Sequence, residues 1–252
     1  MIKLVGVEKT LGGQPVLRGV DLEIPKGKLT TIIGKSGEGK SVLLKHMIGL
    51  MQPDRGQVWV EGVEISRLKG TALNDVRKRF AMLFQGAALF DSLTVFENVA
   101  FPLREKLRLK GEQVTRRVDE KLAQVGLAGM GHKFPAELSG GMRKRAGLAR
   151  ALVMEPEIIL FDEPTTGLDP LMAKAIHDLI VKMQKTFGFT AIMVSHEIPE
   201  IFGLSDYVAM LRKGKIAAMA PSSEFVKTTD EEIREFIFVG GSVTVKAPSA
   251  TP

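Results

Sequence analysis

Apolar and polar residues alternate over residues 2–8 and 16–24, the period of strands with one buried face, and Gly12-Gly13 predicts a turn between them. A further strand is expected over 57–63, carrying the lone tryptophan, Trp59. Together these predict a largely antiparallel layer. Continuous short apolar runs at 30–33, 80–84, 158–161 and 190–194 read as fully buried strands. Residues 86 to 135 turn helical instead. There Thr94 is a natural N-cap, and Val114, Val118, Leu122 and Val125 recur on one helical face. Between the last two apolar runs, Met172, Ala175, Ile176, Leu179 and Met183 mark the buried face of a helix over 171–187. Strand and helix alternation of this kind predicts an α/β chain with a parallel sheet.

At 252 residues the chain is long enough to bury a sizeable core, and 44% apolar with 25% charged residues is ordinary for a globular protein. No apolar run approaches a membrane span, and Met1 opens directly into a strand pattern without a signal region, so the chain is expected to stay where it was made. The absence of cysteine excludes disulfides and thiolate metal sites. The net charge of +6 comes from interspersed residues and reads as a solvated surface, with no nucleic-acid partner expected. Arg143-Lys144-Arg145 takes the same reading, and His46, His132 and His177 lack metal-ligand spacing and read as structural.

Residues 34–41, Gly34-Lys35-Ser36-Gly37-Glu38-Gly39-Lys40-Ser41, match G-x-x-x-x-G-K-[ST] between a buried strand and a helix. Glycines let the backbone turn its N–H groups onto phosphate oxygens. Lys40 would meet the β/γ-phosphates and Ser41 would hold Mg²⁺. Asp162 and Glu163 end the apolar run at 158–161, where one carboxylate can hold Mg²⁺ and the next can orient or deprotonate water. Ser139-Gly140-Gly141 opens a helix and offers a second anion-binding N-terminus. His196 follows the run at 190–194 and would share a sheet edge with Asp162.

In this order the motifs resemble the ATP-binding subunits of ATP-binding cassette (ABC) transporters, over about residues 1–220. The order runs from the phosphate loop through Gln85, the signature Leu138-Ser139-Gly140-Gly141-Met142 and Asp162-Glu163 to Gly167-Leu168-Asp169 and His196. The resemblance implies a P-loop NTPase, a RecA-like core with an antiparallel β subdomain and an α-helical subdomain at about 86–155. It implies an ATPase domain over 1–221 and a C-terminal extension over 222–252. ATP and Mg²⁺ are the implied cofactors. Two copies would close head to tail, each nucleotide lying between one phosphate loop, with Val42 after it, and the other copy's Ser139, Gly140 and Gly141. Glu163 would be the general base, Gln85 would serve Mg²⁺ and water, and Asp169 would couple the two sites.

Leu83 to Phe90, Thr94 to Arg104 and Met142 resemble, more narrowly, the ATPases paired with MCE proteins in phospholipid transport. That subgroup implies an integral membrane permease, an MCE-family substrate-binding protein, a small regulatory subunit and a place on the cytoplasmic face of the inner membrane. Leu89, Phe90, Leu93 and Phe96 are the expected seat for a permease helix. Two positions depart from the family: Leu11 stands where an aromatic usually stacks on adenine, and Met142 where glutamine is usual. An importer ATPase for amino acids or another small solute stays open, as does a soluble ATP-switched clamp. Short helices are expected over 224–227 and 231–238, with Ile233, Phe236 and Ile237 facing either a partner or their own domain. Residues 240–252 are expected to form a mobile tail.

Overall fold

The structure is a computed structural model that describes residues 2–240, for 239 and 240 the backbone alone. β1 (Ile2–Leu11) and β2 (Gln14–Ile24) form a hairpin, and β3 (Leu29–Ile33) leads into α1 (Lys40–Met47). Next come β4 (Arg55–Val60), β5 (Val63–Glu64), α2 (Gly70–Arg77) and β6 (Phe80–Leu83). The helical segment holds α3 (Val95–Leu107), α4 (Glu112–Gln124) and α5 (Gly140–Leu152). Then β7 (Ile158–Asp162), α6 (Pro170–Phe187), β8 (Thr190–Val194) and α7 (Glu200–Leu204) alternate. The described chain closes with β9 (Tyr207–Arg212), β10 (Lys215–Pro221), α8 (Ser222–Phe225) and α9 (Glu231–Gly240).

The antiparallel sheet has the order β2-β1-β4-β5, and the second sheet runs β10-β9-β3-β8-β7-β6, parallel except for β10. One core, with Leu4, Val20, Leu44, Val58 and Ile192, fills the space between the sheets around α1. A second, with Val99, Val118, Ala149, Phe161 and Ile180, joins the helical segment and α6 to the opposite face of the parallel sheet. The parallel strands β3, β7 and β8 are thereby buried on both faces, which is why they read as unbroken apolar runs. Thr94 caps α3 through a reciprocal capping box with Glu97.

Three expectations need correction, and one left open is decided. The strand expected over 57–63 is two strands, because Glu61 (φ 47°) and Gly62 (φ 81°) make a left-handed turn. The run at 80–84 is not fully buried: β6 is a sheet edge, its middle residues are half-covered, and Phe84 is exposed. On α6, Met172 is exposed and Ala175 half-buried, and Ala173 and His177 take their places beside Ile176, Ile180 and Met183. The α9 residues Ile233 and Ile237 are buried against Ile33, Val208 and Met210 of their own domain, with Phe236 packed alongside. That face is therefore filled in cis. The expected tail over 240–252 lies outside the described residues except for the end of α9.

Candidate nucleotide site

Residues 34–41 bend tightly between the end of β3 and the start of α1. A Cβ at Gly34 would stand 2.3 Å from the Leu211 carbonyl oxygen, and one at Gly39 (φ 98°) 2.7 Å from the Val16 side chain. Neither position admits a side chain, so the backbone itself lines the bend and feeds its N–H groups into a helix N-terminus. Lys40, only 6% exposed, donates to the carbonyls of Gly34 and Lys35 at 2.8 and 2.9 Å. Burial lowers its pKa, while the carboxylates of Glu163, Glu38 and Asp162 work to raise it. A cation in that position gains strongly from an anion brought into the loop.

Three strand ends converge beside this loop. Ile32 of β3 pairs with Val194 of β8, and Val194 pairs with Asp162 of β7. Crevices at the carboxyl ends of parallel strands are where α/β sheets bind ligands. Ser41 Oγ donates to Asp162 Oδ1 at 2.9 Å. The Asp162 carboxyl is raised in pKa chiefly by burial, with the Ser41 hydrogen bond opposing and the Glu163 charge adding. This pair offers oxygen alone, and among the described residues no group of three or more His, Cys, Asp or Glu could hold a metal. A hard cation here would complete its shell with phosphate oxygens and water, as Mg²⁺ commonly does.

Glu163 takes φ 47°, a left-handed conformation costing a non-glycine residue on the order of 1 kcal/mol. Its N–H bonds to Val194 O at 3.0 Å, which fixes the turn to the end of β8. Its carboxylate accepts from Thr166 Oγ1 at 3.0 Å and lies 3.6 Å from His196 Nδ1. Gly34, Lys35, Ser36, Lys40, Glu163 and His196 line one cavity of about 500 Å³, together with the apolar Ile198 and Phe236. Gly37 lies exposed on the same loop, Val42 packs into the core behind it, and Glu38 accepts from the Lys213 N–H, away from the cavity.

The other candidates form separate groups. Ser139 caps α5 by accepting from Met142 N at 3.3 Å, and Asp169 caps α6 by accepting from Met172 N at 3.0 Å. These helix starts adjoin: a Cβ on Gly140 would lie 3.1 Å from Leu168, and one on Gly141 3.6 Å from Met172. Gln85 is exposed just after β6, and Leu11 is exposed at the tip of the first hairpin. None of Leu11, Gln85, Ser139, Gly140, Gly141 and Asp169 lines the phosphate-loop cavity.

Two features escaped the sequence reading. Lys144, taken for a solvated residue, is 6% exposed and donates to the Gln85 carbonyl. Its neighbours Gly147, Leu148 and Ala151 at helical spacing are buried, and that spacing was the available signal. From the same helix, Arg150 donates to the carbonyls of Ala87 and Ala88, both at 2.8 Å. The second feature is Phe236, which α9 carries to the cavity from far along the chain.

The family model described as ABC transporter matches residues 17–166, more than half of the chain. The chain belongs to the ABC transporter family. As an ABC cassette it is 38% identical, over 251 residues, to the intermembrane phospholipid transport system ATP-binding protein MlaF of Escherichia coli K12, covering 99% of this chain and 93% of that one. It is 40% identical over 236 residues to the probable ribonucleotide transport ATP-binding protein mkl of Mycobacterium tuberculosis. That alignment takes in 94% of this cassette but spans only 66% of the mycobacterial protein's length. Among solved structures, the dimeric ATP-binding cassette MJ0796, in a post-hydrolysis state with ADP and Pi, superposes with a TM-score of 0.80 at 32% identity, covering 88% of this chain and 99% of that one. The cbiO1 protein of Clostridium perfringens, part of the ABC transporter complex cbiONQ, gives 0.83 at 28%, covering 95% and 96%. The fold is thus that of the ABC ATPases: a P-loop core with an antiparallel β subdomain and a helical subdomain.

Proposed function

We propose that the chain is the ATP-binding and hydrolysing subunit of a transporter that moves phospholipid between bacterial membranes. The observation that carries this reading is the match to MlaF along 99% of this chain and 93% of that protein. The match to mkl favours a second reading, ribonucleotide transport, but leaves a third of that protein without a counterpart here. The ATPase domain is assigned to 1–221, its helical part to about 86–155, and the extension to 222–252.

In this reading two copies pair head to tail, so that Ser139, Gly140 and Gly141 of one copy close over the phosphate loop of the other. The separation of these residues from the phosphate-loop cavity within one chain supports the pairing. So does the dimeric state of the MJ0796 cassette. Lys40 neutralises the terminal phosphates. Glu163, held by Thr166, takes the proton from the attacking water, and His196 lines the same cavity beside it. Ser41 and Asp162, with Gln85, would hold Mg²⁺, which when bound offsets charge on the phosphate oxygens. Asp169, at the start of α6, couples the two halves. Leu11 leaves the adenine ring an apolar contact.

Among the described residues no helix is long and apolar enough to cross a membrane. The spans would come from a permease, with the cassette on the cytoplasmic face of the inner membrane. Phe90 and Phe101, 45% and 41% exposed with ring centroids 5.0 Å apart, support the permease seat. Leu89 and Phe96 pack rather on the helical core, Phe96 under Arg104. An MCE-family protein and a small regulatory subunit complete the assembly.

The test is affinity purification from native membranes, followed by protein and lipid mass spectrometry. A permease and an MCE protein with enriched phospholipid are expected. Recovery without any integral membrane subunit would sink the reading, and bound nucleotide cargo with no lipid would favour the second one.

A further inference from the structure

His177 has no place in the chemistry described so far, yet it is buried to 2% exposure where an apolar side chain would pack without desolvating an imidazole. It projects from α6 toward both loops that carry the cavity's polar groups. Its Nε2 lies 3.5 Å from Thr165 Oγ1, and Thr165 is itself 2% exposed. Thr165 precedes Thr166, whose hydroxyl holds the Glu163 carboxylate. On the other side of the ring, Nδ1 lies 3.6 Å from the Glu197 carboxylate, one residue after His196. Glu197 is further tied to the end of β8, its N–H donating to Ser195 Oγ at 3.1 Å.

The ring thus stands between the loop after β7 and the loop after β8. It also forms part of the wall of a second cavity, of about 690 Å³, into which His196 and Ile198 project from the rim of the first. We infer that His177 is a positioning residue: it braces the Thr165–Thr166 turn against Glu197 and so sets the approach of Glu163 to His196. The inference rests on the ATPase reading above. Asp169 caps the same helix two turns earlier, so α6 carries both the cap and the brace.

The tautomer follows from the partners. A carboxylate accepts only, so Nδ1 carries the proton toward Glu197, and Nε2 is left to accept from the Thr165 hydroxyl. Burial holds the ring neutral against the opposing pull of Glu197, Asp178 and Glu200. Lys144 of α5 interacts electrostatically with Glu163 and Glu197, and Lys174 of α6 lines the second cavity. A neutral ring braces without drawing the Glu197 carboxylate out of place.

The test compares the intact permease assembly carrying wild-type chain, His177→Leu, His177→Gln and, as a reference, Glu163→Gln. His177→Leu is expected to lower kcat about tenfold with KM for ATP within twofold, since a displaced catalytic group costs rate rather than binding. His177→Gln, which can still reach Thr165, is expected to recover most of that loss. Leu and Gln variants alike within twofold of wild type would overturn the inference, as would a rise in KM with kcat unchanged. If wild type itself shows no turnover above Glu163→Gln, the ATPase reading fails. The brace is then judged by hydrogen exchange on the full chain. Faster exchange in His177→Leu confined to 163–168 and 195–198, with 34–41 unchanged, supports it, and identical exchange overturns it.

Discussion

Glu163 Oε1 and His196 Nδ1 stand 3.6 Å apart, brought together from the ends of neighbouring strands β7 and β8. No local sequence relation joins them. The parallel register, in which Asp162 pairs with Val194, delivers the residues that follow each to one place. In the proposed role of general base, Glu163 supplies proton transfer and makes no part of the phosphate cradle. Glu163→Gln is therefore expected to reduce ATP turnover by about 10² to 10⁴-fold. Nucleotide affinity, read by a fluorescent analogue, should stay within a few-fold of wild type. Turnover above a tenth of wild type would remove Glu163 from this role.

The same residue carries backbone strain. At φ 47°, glycine would adopt the conformation freely where glutamine pays as glutamate does. Glu163→Gly should exceed Glu163→Gln in urea-unfolding stability by about 1 kcal/mol while being no more active. Equal stability of the two would mean that the turn stores no strain.

Much of the architecture could be read in advance because its signals are local. Continuous apolar runs became β3, β7 and β8, and the glycines of 34–41 became a bend whose walls exclude a Cβ. The failures came where tertiary contacts decide. Phe84 reads as core until β6 proves to be a sheet edge. Lys144 reads as solvated until its ammonium is found on a backbone carbonyl. Within the site, the chain order of motifs singled out Lys40, Glu163 and His196, which line one cavity, but not that Phe236 reaches that cavity or that His177 stands behind it.

Arg150 gives a measurable case of the side chain-to-backbone ties on α5. Its guanidinium spans the carbonyls of Ala87 and Ala88, both at positive φ (60° and 48°), and holds a loop that would otherwise be strained without compensation. Arg150→Met is expected to lower stability by about 2 kcal/mol, the scale of charge-assisted hydrogen bonds lost from a part-buried group. Basal nucleotide binding should not change, because the phosphate loop lies elsewhere. A loss below about 0.5 kcal/mol would show that solvent replaces the guanidinium without penalty.

Phe90 tests the proposed permease seat without touching the nucleotide. Its ring is 45% exposed and contacts Phe101, with Arg150 5.9 Å from its centroid. Phe90→Asp should leave nucleotide affinity unaltered and abolish co-purification with the membrane subunits, since an apolar seat would then have to bury a carboxylate. Normal assembly in this variant would move the docking surface elsewhere on the chain.

His46 sets the expected response to acid. It is 1% exposed on α1, and its Nδ1 lies 2.7 Å from the Val42 carbonyl, so Nδ1 carries the proton and donates. Its buried Nε2 has no hydrogen-bond partner. Protonation would place a charge on a buried ring, and burial holds the pKa below the ordinary 6.5, with Lys9 adding and the Val42 and Gln52 carbonyls and the Asp54 carboxylate opposing. The unfolded chain then binds the proton more readily than the native one. Stability is fully present above pH 6.5 and declines as pH falls from there through the depressed native value. His177, depressed for the same reason, contributes in the same direction. His46→Leu should consequently flatten, though not abolish, the loss of stability between pH 7 and pH 5 in urea titrations. A variant whose profile parallels that of wild type over this interval would mean that His46 accepts its proton in the folded state without cost.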